Sequence, residues 1–254
     1  GRPPYPPKGP KGPPAALLDP EQSGKMGVLC RMMQTMRATK EGERIVVVSN
    51  YTQTLDLIQT MCRQCNWPVL RLDGSISANK RTQVVDAFNS PSSGAFAFLL
   101  SSKAGGCGIN LIGGSRLVLF DPDWNPASDK QAAARIWREG QLRRCFIYRF
   151  MSTGTIEEKI IQRQLSKEGL SDIVDDREQV NAFSNDELRN LFELRADTLS
   201  DTHDTLRCKR CSSVRAPDKK GFGQAQREGC VAFLRGFGER LQAEAFKNIG
   251  GGEG

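Results

Sequence analysis

The stretch RIVVVSNYTQTLDLIQTMCRQCN, residues 44–66, decides the fold. Its opening, RIVVVS, is a short β-branched run without polar alternation, the pattern of a strand buried on both faces. The remainder spaces Leu55, Ile58, Met61, Cys62 and Cys65 as an amphipathic helix does. Working outward, VLRLD (69–73) reads as a second strand, and Arg81, Val84, Val85 and Phe88 mark a second amphipathic helix. AFAFLLS (95–101), RLVLFD (116–121) and CFIYRFM (145–151) are three more apolar strands, with a helix over about 126–139 between the last two. Such alternation predicts an α/β fold, an open and mostly parallel sheet with helices on both faces. Ligands of such sheets bind beyond the carboxyl ends of the strands. Loops 49–53, 73–77, 101–110 and 121–128, all polar or Gly-rich, are therefore the ones to inspect.

The flanks differ in kind. Residues 1–18 are rich in Pro, Gly and Lys and read as an extended linker, as if cut from a longer chain. Past residue 155 the strands stop. TIEEKIIQRQL opens with a capping box, Thr155 with Glu158, and turns Ile156, Ile160, Ile161 and Leu165 inward. SNDELRNLFEL repeats the device with Ser184 and Glu187 and buries Leu188, Leu191 and Phe192. The expected division is a linker (1–18), a lobe (19–172), a helical bracing extension (173–212) and a basic, flexible tail (213–254).

The 254 residues carry a net charge of +7, which favours a polyanionic partner over acidic-substrate chemistry. No stretch has the length of a membrane span, and the N-terminus has no apolar signal core. The eight cysteines accordingly read as thiols or metal ligands of a soluble, intracellular protein.

Three stretches invite a chemical reading. SGKMG (23–27) imitates the end of a phosphate-cradling loop, but Asp19 stands where the first Gly belongs and Met26 where the hydroxyl belongs. It reads as a helix start. In LLSSKAGGCGINLIGG (99–114) a buried strand runs into hydroxyls, a lysine and clustered glycines, a composition that lets the backbone approach phosphate oxygens. In QAAARIWREGQ (131–141) an ideal helix would bring Gln131, Arg135 and Arg138 within roughly 60° of one another. Two permanently charged, forked side chains on one stripe look aimed at an anion outside the helix, the alternative being a surface ion-pair face with Asp129 and Glu139.

SSKAGGCGIN, DPDWNP and QAAARIWREGQ, followed by YRFMSTGTIEEKI, resemble motifs V and VI of Swi/Snf-type superfamily-two DNA translocases. VVVSNYTQTLDLI and LDGSIS resemble their motif IV region, and LSDTHDTLRCKRC (199–211) is similar to the tail of the recombination-repair branch. The likeness runs from about Ser23 to Leu170. It implies the second of two RecA-like lobes with ATP between them, the first lobe supplying the Walker lysine and most of the grip on ATP and Mg.

The resemblance implies catalytic roles for Arg135 and Arg138, as fingers toward the triphosphate, and for Gln131, which leads the motif. It implies nucleotide contacts from Gly106, Gly108 and Asn110, and DNA-backbone contacts from Ser49, Asn50, Thr52, Gly74, Ser75, Ser102 and Lys103. The implied partners are double-stranded DNA, the first lobe and a RecA-type recombinase filament in the nucleus. The implied activity is DNA-dependent ATP hydrolysis in homologous-recombination repair and chromatin remodelling, with this chain alone inactive. Another Swi/Snf-type remodeller lobe, or a non-catalytic DNA-binding module, are the alternatives.

Cys62 and Cys65 lie on an apolar helical stripe and read as core thiols. Cys208 and Cys211 sit in a polar segment, with His203 before them and Cys230 after. That set suits a structural zinc, and a similar arrangement occurs near the end of the resembling branch.

Overall fold

The computed structural model describes residues 18–39, 42–104, 108–171, 189–198 and 200–206, without the side chains of 78, 166–171, 203, 205 and 206. Five parallel strands form one sheet: β1 (Ile45–Ser49), β2 (Val69–Leu72), β3 (Ala97–Ser101), β4 (Arg116–Leu119) and β5 (Phe146–Arg149). Their spatial order is β2-β3-β1-β4-β5. Val46 lies between Phe98 of β3 and Leu117 of β4, which fixes the register at the centre. The helices are α1 (Gly24–Thr39), α2 (Thr52–Gln64), α3 (Ala78–Asn89), α4 (Pro126–Ala133), α5 (Ile156–Ser171) and α6 (Asp201–Leu206).

Topology and handedness distribute the helices. The chain leaves β1 for β2 in one direction, but travels from β2 to β3 and from β4 to β5 in the other. Right-handed crossovers then put α2 and α3 on opposite faces. The period-2 geometry of the strands follows suit. Ile45, Val47, Ala97, Leu99 and Val118 pack with Leu29 and Met33 of α1 and with Leu55, Ile58 and Met61 of α2. Val46, Val48, Phe98, Leu100 and Leu117 pack with Val85 and Phe88 of α3 and with Leu111 and Ile136. All five β1 residues are buried, as a central strand covered on both faces requires.

SGKMG does begin a helix. The Ser23 hydroxyl accepts the Met26 N–H at 3.4 Å, and α1 buries Met26, Leu29, Met33 and Met36. Cys62 is fully buried and Cys65 partly so, both among core side chains.

Three readings need correction. The helix expected over 126–139 stops at Ala133, so Arg135 and Arg138 do not share an α-helical stripe with Gln131. The cause is tertiary: the Arg135 carbonyl accepts the Leu111 N–H at 2.8 Å instead of continuing the helical ladder. In the cap of α5, Thr155 Oγ1 accepts the Glu157 N–H at 3.2 Å, while Glu158 reaches back to the Gly154 N–H at 2.6 Å. Phe192 is exposed, not buried, because the helical turn at 189–191 ends on the buried Leu191 just before it. Ser184, Glu187 and Leu188 lie outside the described residues.

The chain beyond α5 is held by buried carboxylates. Glu158 accepts the Thr202 N–H at 2.8 Å and the Ser200 hydroxyl at 2.8 Å. Asp201, fully buried, pairs with Lys159 at 2.6 Å and with Arg195. Arg195 N–H in turn donates to the Gly154 carbonyl at 2.9 Å. Among the described residues no helix is long and apolar enough to cross a membrane.

Candidate functional site

All strands being parallel, the loops after Ser49, Leu72, Ser101, Leu119 and Arg149 open on one edge of the sheet. The residues read as DNA-contacting gather there. Strands β2, β3 and β1 are neighbours, so their three loops span about 10 Å. Thr52, Gly74, Ser75 and Lys103 are exposed, and Asn50 and Ser102 are half-buried. Ser102 N–H donates to the Ser49 carbonyl at 3.1 Å, which ties the β3 loop to the end of β1. Ser75 N–H donates to Asp73 Oδ1 at 3.0 Å. Burial raises the Asp73 carboxyl, but the Ser75 hydrogen bonds and the Arg71 guanidinium outweigh it and hold the group below its ordinary value.

Ser49 is placed differently from its companions. It is 1% exposed, its hydroxyl donates to the Asp121 carboxylate, and it accepts the Tyr51 N–H at 3.1 Å. Asp121 also takes the Asn50 N–H at 3.2 Å and lies 3.7 Å from the Lys25 ammonium. Lys25 completes the junction by pairing with Glu157 and donating to the Phe120 carbonyl at 2.9 Å. Ser49 thus supports the edge from beneath and presents no free hydroxyl to it. Lys25 belongs to the SGKMG stretch that imitates a phosphate loop, and its spacing there carries no sign of this junction.

The arginine turn sits elsewhere. Helix α4 has eight residues, about 12 Å of rise, and β4 has four, about 13 Å. Running back over the sheet, α4 therefore delivers the chain near the amino ends of β4 and β5. There Arg138 is exposed and donates from Nη1 to the Gly108 carbonyl at 3.1 Å. No carboxylate among the described residues pairs with it. Arg135 is half-buried beside it in sequence, with its carbonyl on the Leu111 N–H; Gln131 is exposed on α4. Asp129, weighed as a surface partner for the arginines, is buried and lies 3.6 Å from Arg149 instead. Desolvation pushes its carboxyl above the ordinary value, against the pull of the Arg149 guanidinium.

Gln141 holds this turn in place, and the helix-stripe reading missed it. Its amide nitrogen donates to the carbonyls of Ile112 (3.2 Å), Gly114 (2.9 Å) and Ile136 (3.0 Å). Its oxygen accepts the Arg143 N–H at 2.9 Å. The segment 108–114 and the turn 134–141 are thereby one unit. Gly108 takes a φ of +64°, which a side chain would strain. Asn89 supports the unit from α3, donating to the Asn110 carbonyl at 2.8 Å and accepting the Gly113 N–H at 2.9 Å. Asn110 Oδ1 is buried and accepts no hydrogen bond from the described residues.

So the structure brings Gly108, Asn110, Arg135 and Arg138 into one unit and puts Asn50, Thr52, Gly74, Ser75, Ser102 and Lys103 along a separate edge. Gly106 lies outside the described residues. So do Cys208, Cys211, Cys230 and the side chain of His203, the expected zinc set. Among the described residues no group of three or more His, Cys, Asp or Glu is placed to hold a metal.

A five-stranded parallel sheet with this strand order and helices on both faces is the fold of a RecA-like helicase C-terminal lobe. Residues 24–140 match the helicase conserved C-terminal domain, and the chain resembles Swi/Snf-type ATPases. It is 56% identical over 197 residues to the DNA repair and recombination protein RAD54 of Oryza sativa, covering 76% of this chain and 20% of that protein. It is 55% identical over 208 residues to the RAD54-like protein of Homo sapiens, covering 81% and 28% respectively. The chain therefore spans between a fifth and a third of the length of these relatives. The crystal structure of the C-terminal part of the Fun30 ATPase domain is similar with a TM-score of 0.56 and 31% identity, covering 68% of this chain and 53% of that one.

Proposed function

We propose that this lobe is the second half of an ATP-dependent double-stranded-DNA translocase of homologous-recombination repair, acting with a RecA-type recombinase in the nucleus and with a capacity for chromatin remodelling. The first lobe would hold ATP and Mg. In this lobe Arg135 and Arg138 would stabilise the charge that spreads over transferring phosphoryl oxygens, with Gln131 at the cleft. Arg138 suits the task because it rests on a neutral carbonyl, which leaves its charge available to an anion.

Asn50, Thr52, Gly74, Ser75, Ser102 and Lys103 would meet the DNA backbone, with Ser49 shaping their loops through Asp121. Such contacts position the duplex and carry little sequence information, so binding should weaken steeply with salt.

The observation that carries this reading is the Arg138–Gly108 contact, which joins the finger turn to the glycine-containing connection. In the protein with both lobes, Arg135→Ala and Arg138→Ala should each lower DNA-stimulated ATP hydrolysis by about 10³-fold or more. DNA affinity should stay close to that of the parent. Near-normal turnover in both variants would overturn the assignment.

A further inference from the structure

Helix α5 lies beyond the matched family segment, which ends at residue 140. One of its side chains nevertheless reaches under the site. Gln164 is 1% exposed. Its oxygen accepts Arg149 Nη1 at 2.9 Å, and its nitrogen donates to Asp129 Oδ2 at 3.1 Å and to the Asp123 carbonyl. One amide thus joins the end of β5, the first turn of α4 and the loop leaving β4. Helix α4 is the arm that delivers Arg135 and Arg138, and Gln141 secures its far end.

The chemistry at 164 is specific. The position must accept from a guanidinium on one side and donate to a carboxylate and a carbonyl on the other. Only a side-chain amide does both without adding charge. A carboxylate there would accept on both sides and face Asp129, a buried acid already pushed toward protonation by desolvation.

We infer that Gln164 is a positioning residue for the arginine pair: it fixes the root of α4, and through that arm the cleft geometry of Arg135 and Arg138. The inference rests on the motor reading above, and the test separates the two. In the protein with both lobes, Gln164→Glu should lower the DNA-stimulated kcat by about tenfold or more, because small misplacements of a catalytic group are costly. KM for ATP and DNA affinity should stay within about twofold, the pattern of a group felt mainly in the transition state. The exchanged pair Gln164→Glu with Asp129→Asn restores one amide and one carboxylate beside Arg149, and should recover most of the lost kcat.

A Gln164→Glu kcat within about twofold of the parent, or an exchanged pair no faster than the single variant, would overturn the inference. Should Gln164→Glu alone fail to fold, a folded exchanged pair with recovered kcat upholds it, and an exchanged pair that also fails to fold overturns it. Arg138→Ala is run alongside. If that variant and Arg135→Ala both turn over normally, the finger assignment on which the inference rests falls; if they are inactive while Gln164→Glu is normal, only the role of Gln164 falls.

Discussion

Replacing Gly154 by alanine should loosen the segment 195–206 from the lobe. Gly154 has a φ of +66°, and a Cβ built there would lie 1.9 Å from the Arg195 carbonyl oxygen. The left-handed conformation alone costs alanine roughly 1–2 kcal/mol. The collision is with backbone, so no rotamer change relieves it, and the Arg195 N–H bond to the Gly154 carbonyl must break. That bond is worth about 0.5–1.5 kcal/mol. Moving Arg195 also strips one partner from the buried Asp201 and leaves it Lys159. The strained backbone and the lost hydrogen bond together make a local loss of about 3 kcal/mol the expectation.

In a lobe of this size that corresponds to a fall of about 6–12 °C in Tm if the segment unfolds with the sheet. If it detaches on its own, the amides of 195–206 lose hydrogen-exchange protection while those of β1 and β3 keep it. Gly24→Ala is the control, since a Cβ there meets nothing within 4 Å. An unchanged Tm together with unchanged protection of 195–206 in Gly154→Ala would refute the reasoning.

Acid should release the same segment. Burial raises Glu158 and Asp201, but the Thr202 and Gly154 N–H bonds on Glu158, and Lys159, Gln162 and Arg195 around Asp201, outweigh it and hold both below their ordinary values. Depressed carboxyls stabilise the fold above their unfolded pKa, about 4, and lose that contribution as pH falls through the folded value. An acid titration of Tm should therefore be shallower in Asp201→Asn than in the parent. The Cys62 thiol, fully buried and pushed up to about 12 mainly by desolvation, should resist alkylation at pH 8 until the protein unfolds; prompt labelling in the native state would contradict its place in the core. Gln141→Leu strips a donor from the Ile112 and Gly114 carbonyls, at a cost of about 1–3 kcal/mol in urea melts. A stability equal to the parent's would mean the Gln141 pin is not the constraint it looks like.

Five strands were legible because each is a run of apolar residues whose character depends on few distant contacts. RIVVVS needs both faces covered whatever lies above and below it. The arginine turn was not legible, because AAARIW carries a helical period straight through the point where the helix ends. What stops it is the Leu111 N–H, twenty-four positions earlier, and the Gln141 amide drawn to Ile112 and Gly114. Phe192 failed for a similar reason: its spacing suits a helix that has already ended. Ser49 shows a third limit. A hydroxyl at the carboxyl end of a strand suits a phosphate equally well whether it faces outward or is spent on Asp121, and only the fold decides.

The separation of the two residue groups bears on how one lobe can serve two ligands. Ser102 and Lys103, proposed to meet DNA, and Gly108 and Asn110, proposed to meet the nucleotide, belong to one connection, from the end of β3 to the start of β4. Its upper end is tied to β1 through the Ser102 N–H on the Ser49 carbonyl, and its lower end to α3 through Asn89. Arg138 grips it at Gly108, and Gln141 grips it again at Ile112 and Gly114. The strand order makes such a tie available: β3 and β4 both flank β1, so the chain must run the full height of the sheet between them, touching the DNA-facing edge at one end and the arginine turn at the other.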